Sequence, residues 1–303
     1  MITAFKEFPY YPQFTFSSIA ASTRNQVQLL IPHNIAVYGI AITASNLVES
    51  FYYEYRLQFQ DYETGETLFD EPIQLMNIQT DCRTFPPPLT KDGPGNGGGF
   101  KLPSKWFIRK NQKIICKLDT FASSTTQSYR VTLLAYTTDV DPNPGVQPFV
   151  YSFPMRMGYQ DNITGQTSVN FNQQTTNSVA KPMIHDFELY AITFDQSGTG
   201  GLGGVPLFSF QVSWPGRKLA DRMTIDGVWG GGSNFEQGDS VSVGTRLIDD
   251  EVWQYCLPEP AHICKGQIVR VDVAPAPTHA SSDAIHSTFN EEVCMALIGN
   301  HYA

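Results

Sequence analysis

The chain has 303 residues, of which 16% are charged, 41% are hydrophobic and 13% are aromatic, and its formal net charge is −9. An acidic chain without a dense basic cluster lacks the lysines and arginines that contact phosphates, so its composition argues against a dedicated nucleic-acid binder. No apolar run approaches the roughly 18 residues of a membrane-spanning helix. The first residues lack a signal-peptide core, so we expect a protein made in the cytoplasm and used without secretion.

The composition also predicts a β-rich chain with large covered surfaces. Gly (24) and Pro (20) are abundant, as are Tyr (14) and Phe (20), which suits strands joined by turns. Charged residues make up about a quarter of an average globular chain, so this chain has few groups to solvate a free surface. It can tolerate this if it buries much of its surface against copies of itself.

The first half begins with an aromatic, proline-rich arm over residues 1–14 (MITAFKEFPYYPQF). Such an arm has no core of its own, and the sequence leaves open whether it lies on its own sheet or on a neighbouring subunit. Further along, alternating or β-branched segments predict strands at Phe14–Phe16, Val27–Ile31, Ile35–Ala44, Tyr52–Gln60, Leu68–Met76, Lys113–Leu118 and Tyr129–Tyr136.

The segment Thr84–Phe100 (TFPPPLTKDGPGNGGGF) is predicted to be a surface loop. Its run Gly97-Gly98-Gly99 is not followed by Lys and Ser or Thr, and no helical pattern begins after it. The run therefore does not predict a phosphate-binding loop.

A proline-rich stretch, Asp139–Pro148 (DVDPNPGVQP), gives the best domain boundary. We predict a first domain with its arm at residues 1–140, a linker at 141–148 and a second domain at 149–303. In the second half we expect strands at Phe149–Met157, Phe187–Phe194, Leu207–Trp214, Asp221–Trp229, Val241–Ile248, Val252–Leu257 and Glu292–Gly299. Gln160–Ala180 is predicted to be a long loop or an edge hairpin, and the other predicted loops are Gln196–Val205, Gly230–Gly238 and Pro275–Phe289.

An internal repeat links the two halves. Leu102–Asp119 (LPSKWFIRKNQKIICKLD) resembles Leu257–Asp272 (LPEPAHICKGQIVRVD), with matched residues 155 apart (258 − 103). Asn111 and Gly266 fill the same position between Lys and Gln, and both residue types tolerate the left-handed backbone of a tight turn. The repeat therefore predicts one strand–turn–strand unit used twice.

Three further matches keep the same order. Gly39–Thr43 resembles Leu189–Thr193 (150 apart, 191 − 41), Gly65–Asp70 resembles Gly216–Asp221 (151, 216 − 65), and Leu133–Ala135 resembles Leu297–Gly299 (164, 297 − 133). A period near 150 suits whole domains rather than a solenoid. Together with the strand spacing, this predicts an all-β chain of two tandem, related β-sandwich domains.

Catalytic chemistry has little support in the sequence. Neither H-E-x-x-H nor G-x-S-x-G occurs, so we expect no enzyme and no cofactor. The weak candidates for a metal site are His279, Asp283 and His286, whose spacing is common by chance in a loop. Cys256 and Cys264 are expected to flank a turn, where they could bridge or bind metal, but reduced thiols are favoured.

This architecture resembles the double jelly-roll major capsid proteins of icosahedral, including membrane-containing, bacterial viruses, whose lineage includes the adenovirus hexon. The resemblance rests on the Leu102–Asp119 and Leu257–Asp272 units, the Asp139–Pro148 linker and the missing catalytic motif. It implies jelly-roll domains and homotrimers of pseudo-hexagonal outline that contact neighbouring capsomers and other virion proteins. It further implies an arm that touches neighbours or an internal membrane, and outward tower loops at Thr84–Phe100, Gln196–Val205 and Gly230–Gly238.

Other classes remain open at this point. A decoration, neck or spike protein of a virion would fit the same pattern. A carbohydrate-binding or adhesin protein with twin sandwiches could use Trp214, Trp229 and Trp253, although core packing explains these residues as well. A hydrolase would require converging carboxylates, which the sequence does not locate.

Overall fold

The computed structural model describes residues 8–19, 23–44, 55–74, 99–120, 127–139, 145–158, 177–198, 208–219, 223–224, 254–275 and 290–302. Within these ranges the regular structure is β throughout. No helix in the described ranges is long and apolar enough to cross a membrane.

Nine strands come from the first half: β1 (Pro9–Tyr10), β2 (Gln13–Ile19), β3 (Arg24–Leu30), β4 (Ile35–Ala44), β5 (Tyr55–Asp61), β6 (Ile73–Gln74), β7 (Gly99–Ile108), β8 (Lys113–Thr120) and β9 (Gln127–Thr137), among the residues described. Alternation explains their placement. In β2, Phe14 and Phe16 are buried while Gln13 and Thr15 are exposed, as expected for a strand with one face on a core.

These strands form two antiparallel sheets. One has the order β1-β9-β4-β7, with β2 continuing β1 along β9, and the other has the order β3-β8-β5-β6. If β1 and β2 count as one edge strand, the eight positions in chain order give sheets 1-8-3-6 and 2-7-4-5. This connectivity is the double-sheet jelly roll, in which Greek-key connections carry the chain between the sheets.

The second half supplies β10 (Val146–Gly158), β11 (Asn177–Pro182), β12 (Asp186–Gly198), β13 (Phe208–Trp214), β14 (Arg217–Lys218), β15 (Met223–Thr224), β16 (Gln254–Ile263), β17 (Ile268–Pro275) and β18 (Asn290–Tyr302). Its sheets are β10-β18-β12-β16 and β11-β17-β13-β14, with β15 also on β13. Counting β14 and β15 as one position reproduces 1-8-3-6 and 2-7-4-5. The chain is therefore all-β, with two tandem, related jelly-roll domains, as the sequence predicts.

Each domain has its own core between its two sheets. The first contains Phe14, Phe59 and Trp106, and the second contains Phe187, Phe210 and Trp214. The first cluster also includes four residues of the second domain, Val150, Ala191, Ala296 and Ile298. The two domains therefore share a packed apolar seam.

Several predicted boundaries shift. Gly99 and Phe100 lie in β7 and Gln196–Gly198 lie in β12, so these strands extend into predicted loops. Asn177–Ala180 lie in the edge strand β11, so this part of Gln160–Ala180 is not a loop. β10 begins at Val146, inside the segment 141–148 predicted as linker. The arm residues from Phe8 onward lie on their own sheet, where Pro9 and Tyr10 pair with Tyr136 and Ala135.

Candidate assembly interface

The repeated strand–turn–strand unit has the same hydrogen bonds in both domains. Asn111 and Gly266 adopt left-handed backbone, with φ of 65° and 81°. The backbone N–H of Lys110 donates to Asn34 Oδ1 at 2.7 Å, and that of Lys265 donates to Asp186 Oδ1 at 2.8 Å. The separation of 152 between the two acceptors (186 − 34) fixes the alignment of β4 with β12.

The glutamine that both copies of the repeat share also has a structural role. Gln112 Oε1 accepts from the backbone N–H of Arg109 at 2.7 Å, and Gln267 Oε1 accepts from that of Cys264 at 3.0 Å. The sequence signal Lys–(Asn or Gly)–Gln is thus a turn signal.

The domains are joined by backbone hydrogen bonds as well as by apolar packing. Phe69 forms an isolated parallel bridge with Val150 of β10. The N–H of Asp70 donates to the Val150 carbonyl at 3.0 Å, and the N–H of Val150 donates to the Leu68 carbonyl at 3.3 Å. The first strand of the second domain therefore pairs with an edge segment of the first domain, which orients one domain on the other.

A buried amide holds that edge segment in place. Gln58 is 5% exposed, and its Nε2 donates to the Phe69 carbonyl at 2.8 Å. Its Oε1 accepts from the Phe69 N–H at 3.3 Å. A satisfied buried amide of this kind fixes a single backbone arrangement.

An ionic cluster reinforces the seam. Lys181 Nζ donates to Asp70 Oδ2 at 2.8 Å and to Glu71 Oε1 at 2.5 Å, and also to the Ser152 carbonyl. Burial lowers the pKa of Lys181, but the two carboxylates outweigh that effect and raise it overall, so the side chain stays cationic. Asp70 Oδ1 additionally accepts from the Ser152 N–H at 2.8 Å.

The seam covers the outer face of sheet β10-β18-β12-β16, and the same face of the first domain lacks such a cover among the described residues. Pro9 opposite Tyr136 and Pro148 opposite Asn300 are equivalent pairs, which places Tyr11 at the position of Val150. Val150 is fully buried, whereas Tyr11 is 48% exposed. We call the outer face formed by Tyr11, Tyr38, Leu134 and Tyr136 the tyrosine face.

Aromatic contacts organise the tyrosine face. The rings of Tyr38 and Tyr136 stack with centroids 6.4 Å apart, and Lys105 Nζ lies 4.8 Å from the centre of the Tyr136 ring. Burial and a hydrogen bond with Tyr11 raise the pKa of Tyr38 to about 12. Large aromatic side chains with polar tips are typical of protein–protein interfaces.

The edge of the second domain is also less covered than its counterpart. Leu68 and Leu219 are equivalent, because their N–H groups donate to the Phe59 and Val212 carbonyls at 3.1 and 2.9 Å. Leu68 and Trp106 are buried at the seam, whereas Leu219 and Ala261 at the same positions are half-buried. We call the surface formed by Leu219 and Ala261 the second-domain edge.

A histidine pair lies beside the cleft between the domains. His301, which lines that cleft together with Glu66, Trp106 and Gln147, stacks on Phe149 at 5.3 Å. Its ring lies 4.3 Å from that of His185. Burial, and then the charge of His185, lower the pKa of His301 to about 4, so His301 is neutral near pH 7.

The residues predicted for metal binding, His279, Asp283 and His286, lie outside the described residues, as do Trp229, Trp253 and residues 84–98, 199–207 and 225–250. Trp214 is 7% exposed in the second core, so core packing explains it and it offers no sugar platform.

The prediction that Cys256 and Cys264 flank a turn is wrong. Cys256 lies within β16, opposite Ala191, while Cys264 follows the strand end, Ile263, which is opposite Phe187. Four residues along β12 span about 13 Å, beyond the roughly 7 Å that a disulfide allows.

Among known proteins, no protein-family model matches the chain, and no curated protein matches it. Solved structures that are similar in fold include the major capsid protein (MCP) of STIV, Sulfolobus Turreted Icosahedral Virus (TM-score 0.46, 11% identity, 97% of this chain and 96% of that one). The PBCV-1 virus capsid also matches (TM-score 0.40, 10% identity, 100% and 97%).

PNGase F, a glycosylasparaginase from Flavobacterium meningosepticum, matches at a TM-score of 0.37 and 8% identity, over 96% of each chain. Capsid proteins and an amidase are thus similar to this chain at comparable levels. At these TM-scores the likeness does not decide between their functions.

Proposed function

We propose that this chain is a virion structural protein, a major capsid protein whose homotrimers have a pseudo-hexagonal outline and tile an icosahedral shell. The observation that carries the proposal is the unequal cover of two equivalent surfaces. Within the chain, the segment Leu68–Asp70, which we call the first-domain edge, covers the outer face of the second domain at Val150. The second-domain edge and the tyrosine face are the matching surfaces, and among the described residues the domains leave both partly exposed.

The two partly exposed surfaces can bind each other between copies of the chain. A head-to-tail contact between unlike surfaces gives a ring if its rotation closes. If the second-domain edge of one copy covers the tyrosine face of the next as the first-domain edge covers Val150, every domain joins its neighbour in the same way. Three chains then supply six equivalent positions.

Composition supports the same proposal. Only 16% of residues are charged, which suits a subunit that buries wide side faces. We further propose that the chain has no catalytic role, that it resides in the virion, and that it contacts neighbouring capsomers and other virion proteins. The N-terminal arm is proposed to touch neighbouring subunits or an internal membrane.

Light scattering of the purified full chain at micromolar concentration tests this proposal. We expect one species with three times the mass of the 33.8 kDa chain. A monomer across the micromolar range would overturn the proposal.

A further inference from the structure

Three side chains of metal-binding type come together at one end of the second domain. Asp186 begins β12, His262 lies near the end of β16, and Cys264 follows that strand. One potential ligand atom from each lies within 4.8 Å of the others, and all three residues are exposed. The cluster joins two neighbouring strands of one sheet with the turn that leads to β17.

The first domain provides an internal comparison, because its fold and turn are the same. The positions of Asp186, His262 and Cys264 are occupied there by Asn34, Phe107 and Arg109, respectively. Asn34 caps the turn as well as Asp186 does, so the turn does not require a carboxylate. At all three positions the second domain has a ligand-type residue where the shared fold accepts another residue type.

The chemical types of the three potential ligands indicate which metal ion they would bind. A thiolate, an imidazole and a carboxylate together favour zinc, whereas calcium and magnesium prefer oxygen ligands alone. Sulfur, nitrogen and oxygen ligands at zinc distances around a tetrahedral ion are roughly 3.4 to 3.7 Å apart. Small rotations of exposed side chains bring atoms within 4.8 Å to that spacing.

The surrounding hydrogen bonds orient two of the ligands. Asp186 Oδ1 accepts from the Lys265 N–H at 2.8 Å, and a carboxylate has a second oxygen with which to ligate an ion. Gln267 Oε1 accepts from the Cys264 N–H at 3.0 Å, which fixes the backbone that carries the thiol. Such outer contacts position first ligands at metal sites.

We propose that Asp186, His262 and Cys264 bind one zinc ion, with water as the fourth ligand. The ion ties the start of β12 to the β16–β17 turn. This proposal is independent of assembly, since all three ligands belong to one domain of one chain.

Cobalt(II), a spectroscopic substitute for zinc, tests the site in the full reduced chain. We expect one equivalent to give a thiolate-to-cobalt charge-transfer band. The variants carry the residues that the first domain uses: Asp186→Asn, His262→Phe and Cys264→Arg. The band is lost in Cys264→Arg, and affinity falls at least about tenfold in the other two variants. A Cys116→Ser variant, which changes a fully buried thiol of β8, serves as the control and keeps the band.

A second readout covers the case of a misfolded variant. Excess zinc raises the midpoint of thermal unfolding of the wild type, because an ion that binds only the folded state stabilises it. Asp186→Asn, which retains the turn cap, shows a smaller rise. Absence of a band in the wild type, its persistence in Cys264→Arg, its loss in Cys116→Ser or an equal rise in Asp186→Asn would each overturn the proposal.

Discussion

Val150 and Tyr11 occupy the same place in the two copies of the jelly roll, 139 residues apart (150 − 11), yet Val150 is fully buried and Tyr11 is 48% exposed. The difference arises because the segment Leu68–Asp70 pairs with the backbone at Val150. Equivalent surfaces of the two domains are thus covered to different extents within one chain. The proposed assembly removes that inequality.

The exposed position of Tyr11 gives the first prediction. Tyr11→Asp introduces a charge into the tyrosine face, and a buried unpaired charge is costly. We expect the trimer to dissociate to monomer in light scattering at micromolar concentration. Leu30→Asp is the matched control, because Leu30 is 56% exposed on β3 in the other sheet, and this variant should remain trimeric. Equal masses for the two variants would argue against the tyrosine face as the contact.

The ionic cluster at the seam gives the second prediction. Lys181→Ala leaves Asp70 partly buried without its cation, and we expect a loss of about 2 to 3 kcal/mol in the free energy of unfolding. Arg24→Ala is the control: this residue also pairs with an aspartate, Asp119, but its side chain is 73% exposed, so the loss should be clearly smaller than that of Lys181→Ala. Chemical denaturation measures both, and similar losses would contradict a role for Lys181 at the seam.

The histidine pair predicts a loss of stability in acid. The pKa of His301 is about 4 in the folded chain and about 6.5 when unfolded. Its folded-state pKa is lowered, so the unfolded state binds the proton more tightly. The contribution of neutral His301 is therefore present above pH 6.5 and is lost as the pH falls toward 4. Neighbouring charged groups that act on the pair through His185 are Glu66, Asp186 and Lys265.

His301→Phe tests this dependence. Phenylalanine keeps an aromatic ring against Phe149 and carries no proton, so the unfolding midpoint should fall less between pH 7 and pH 4.5 than in the wild type. If His301→Phe lost stability with pH as steeply as the wild type, the assignment to His301 would be wrong.

Gly299 gives a fourth prediction. A Cβ atom there would lie 1.9 Å from the Glu188 carbonyl oxygen and 2.6 Å from the Phe187 ring, so Gly299→Ala should cost at least about 2 kcal/mol. The equivalent residue of the first domain, Ala135, is already an alanine and is 1% exposed. The reverse change Ala135→Gly should cost only about 1 kcal/mol. Thermal unfolding of both variants checks the ranking.

The sequence predicts the repeated turn well because its signals are local. Asn111, Gly266 and the two glutamines each act within three residues of their own position. Strand existence follows equally from alternation, as in β2. These local features predict the strands and turns of two related β-sandwich domains, whereas the jelly-roll connectivity is implied only by the resemblance to capsid proteins.

Bulges explain where the sequence alignment fails. Lys101 and Trp106 pair with Gly39 and Val37, so four residues of β7 bulge out of the ladder. β16 repeats this feature at Cys256 and Ala261. Matching by residue type alone aligns residues of β4 with residues of β12 that are 150 positions later. The hydrogen bonds show that equivalent residues of the two strands are 152 positions apart. Alternation carries no signal for a bulge of this length.

The contacts of the candidate interface are long-range and therefore have no local signal. Asp70 and Lys181 are 111 residues apart and belong to different domains. Tyr10 with His33, and Phe149 with His185, form equivalent edge-to-face pairs. Tyr10 and Phe149 are 139 residues apart (149 − 10), whereas His33 and His185 are 152 residues apart (185 − 33). An alignment at one fixed offset therefore does not detect this match.

Cysteine cross-linking between chains tests the central claim most directly. Leu68 is hydrogen-bonded to Val150 within the chain, and the equivalent pair between copies is Leu219 and Tyr11. A Tyr11→Cys, Leu219→Cys double variant, oxidised and run without reductant, should give a covalent species of three chains, while either single variant should not. If the double variant gave only single chains, or linked no more than the single variants, the proposed contact between copies would be contradicted.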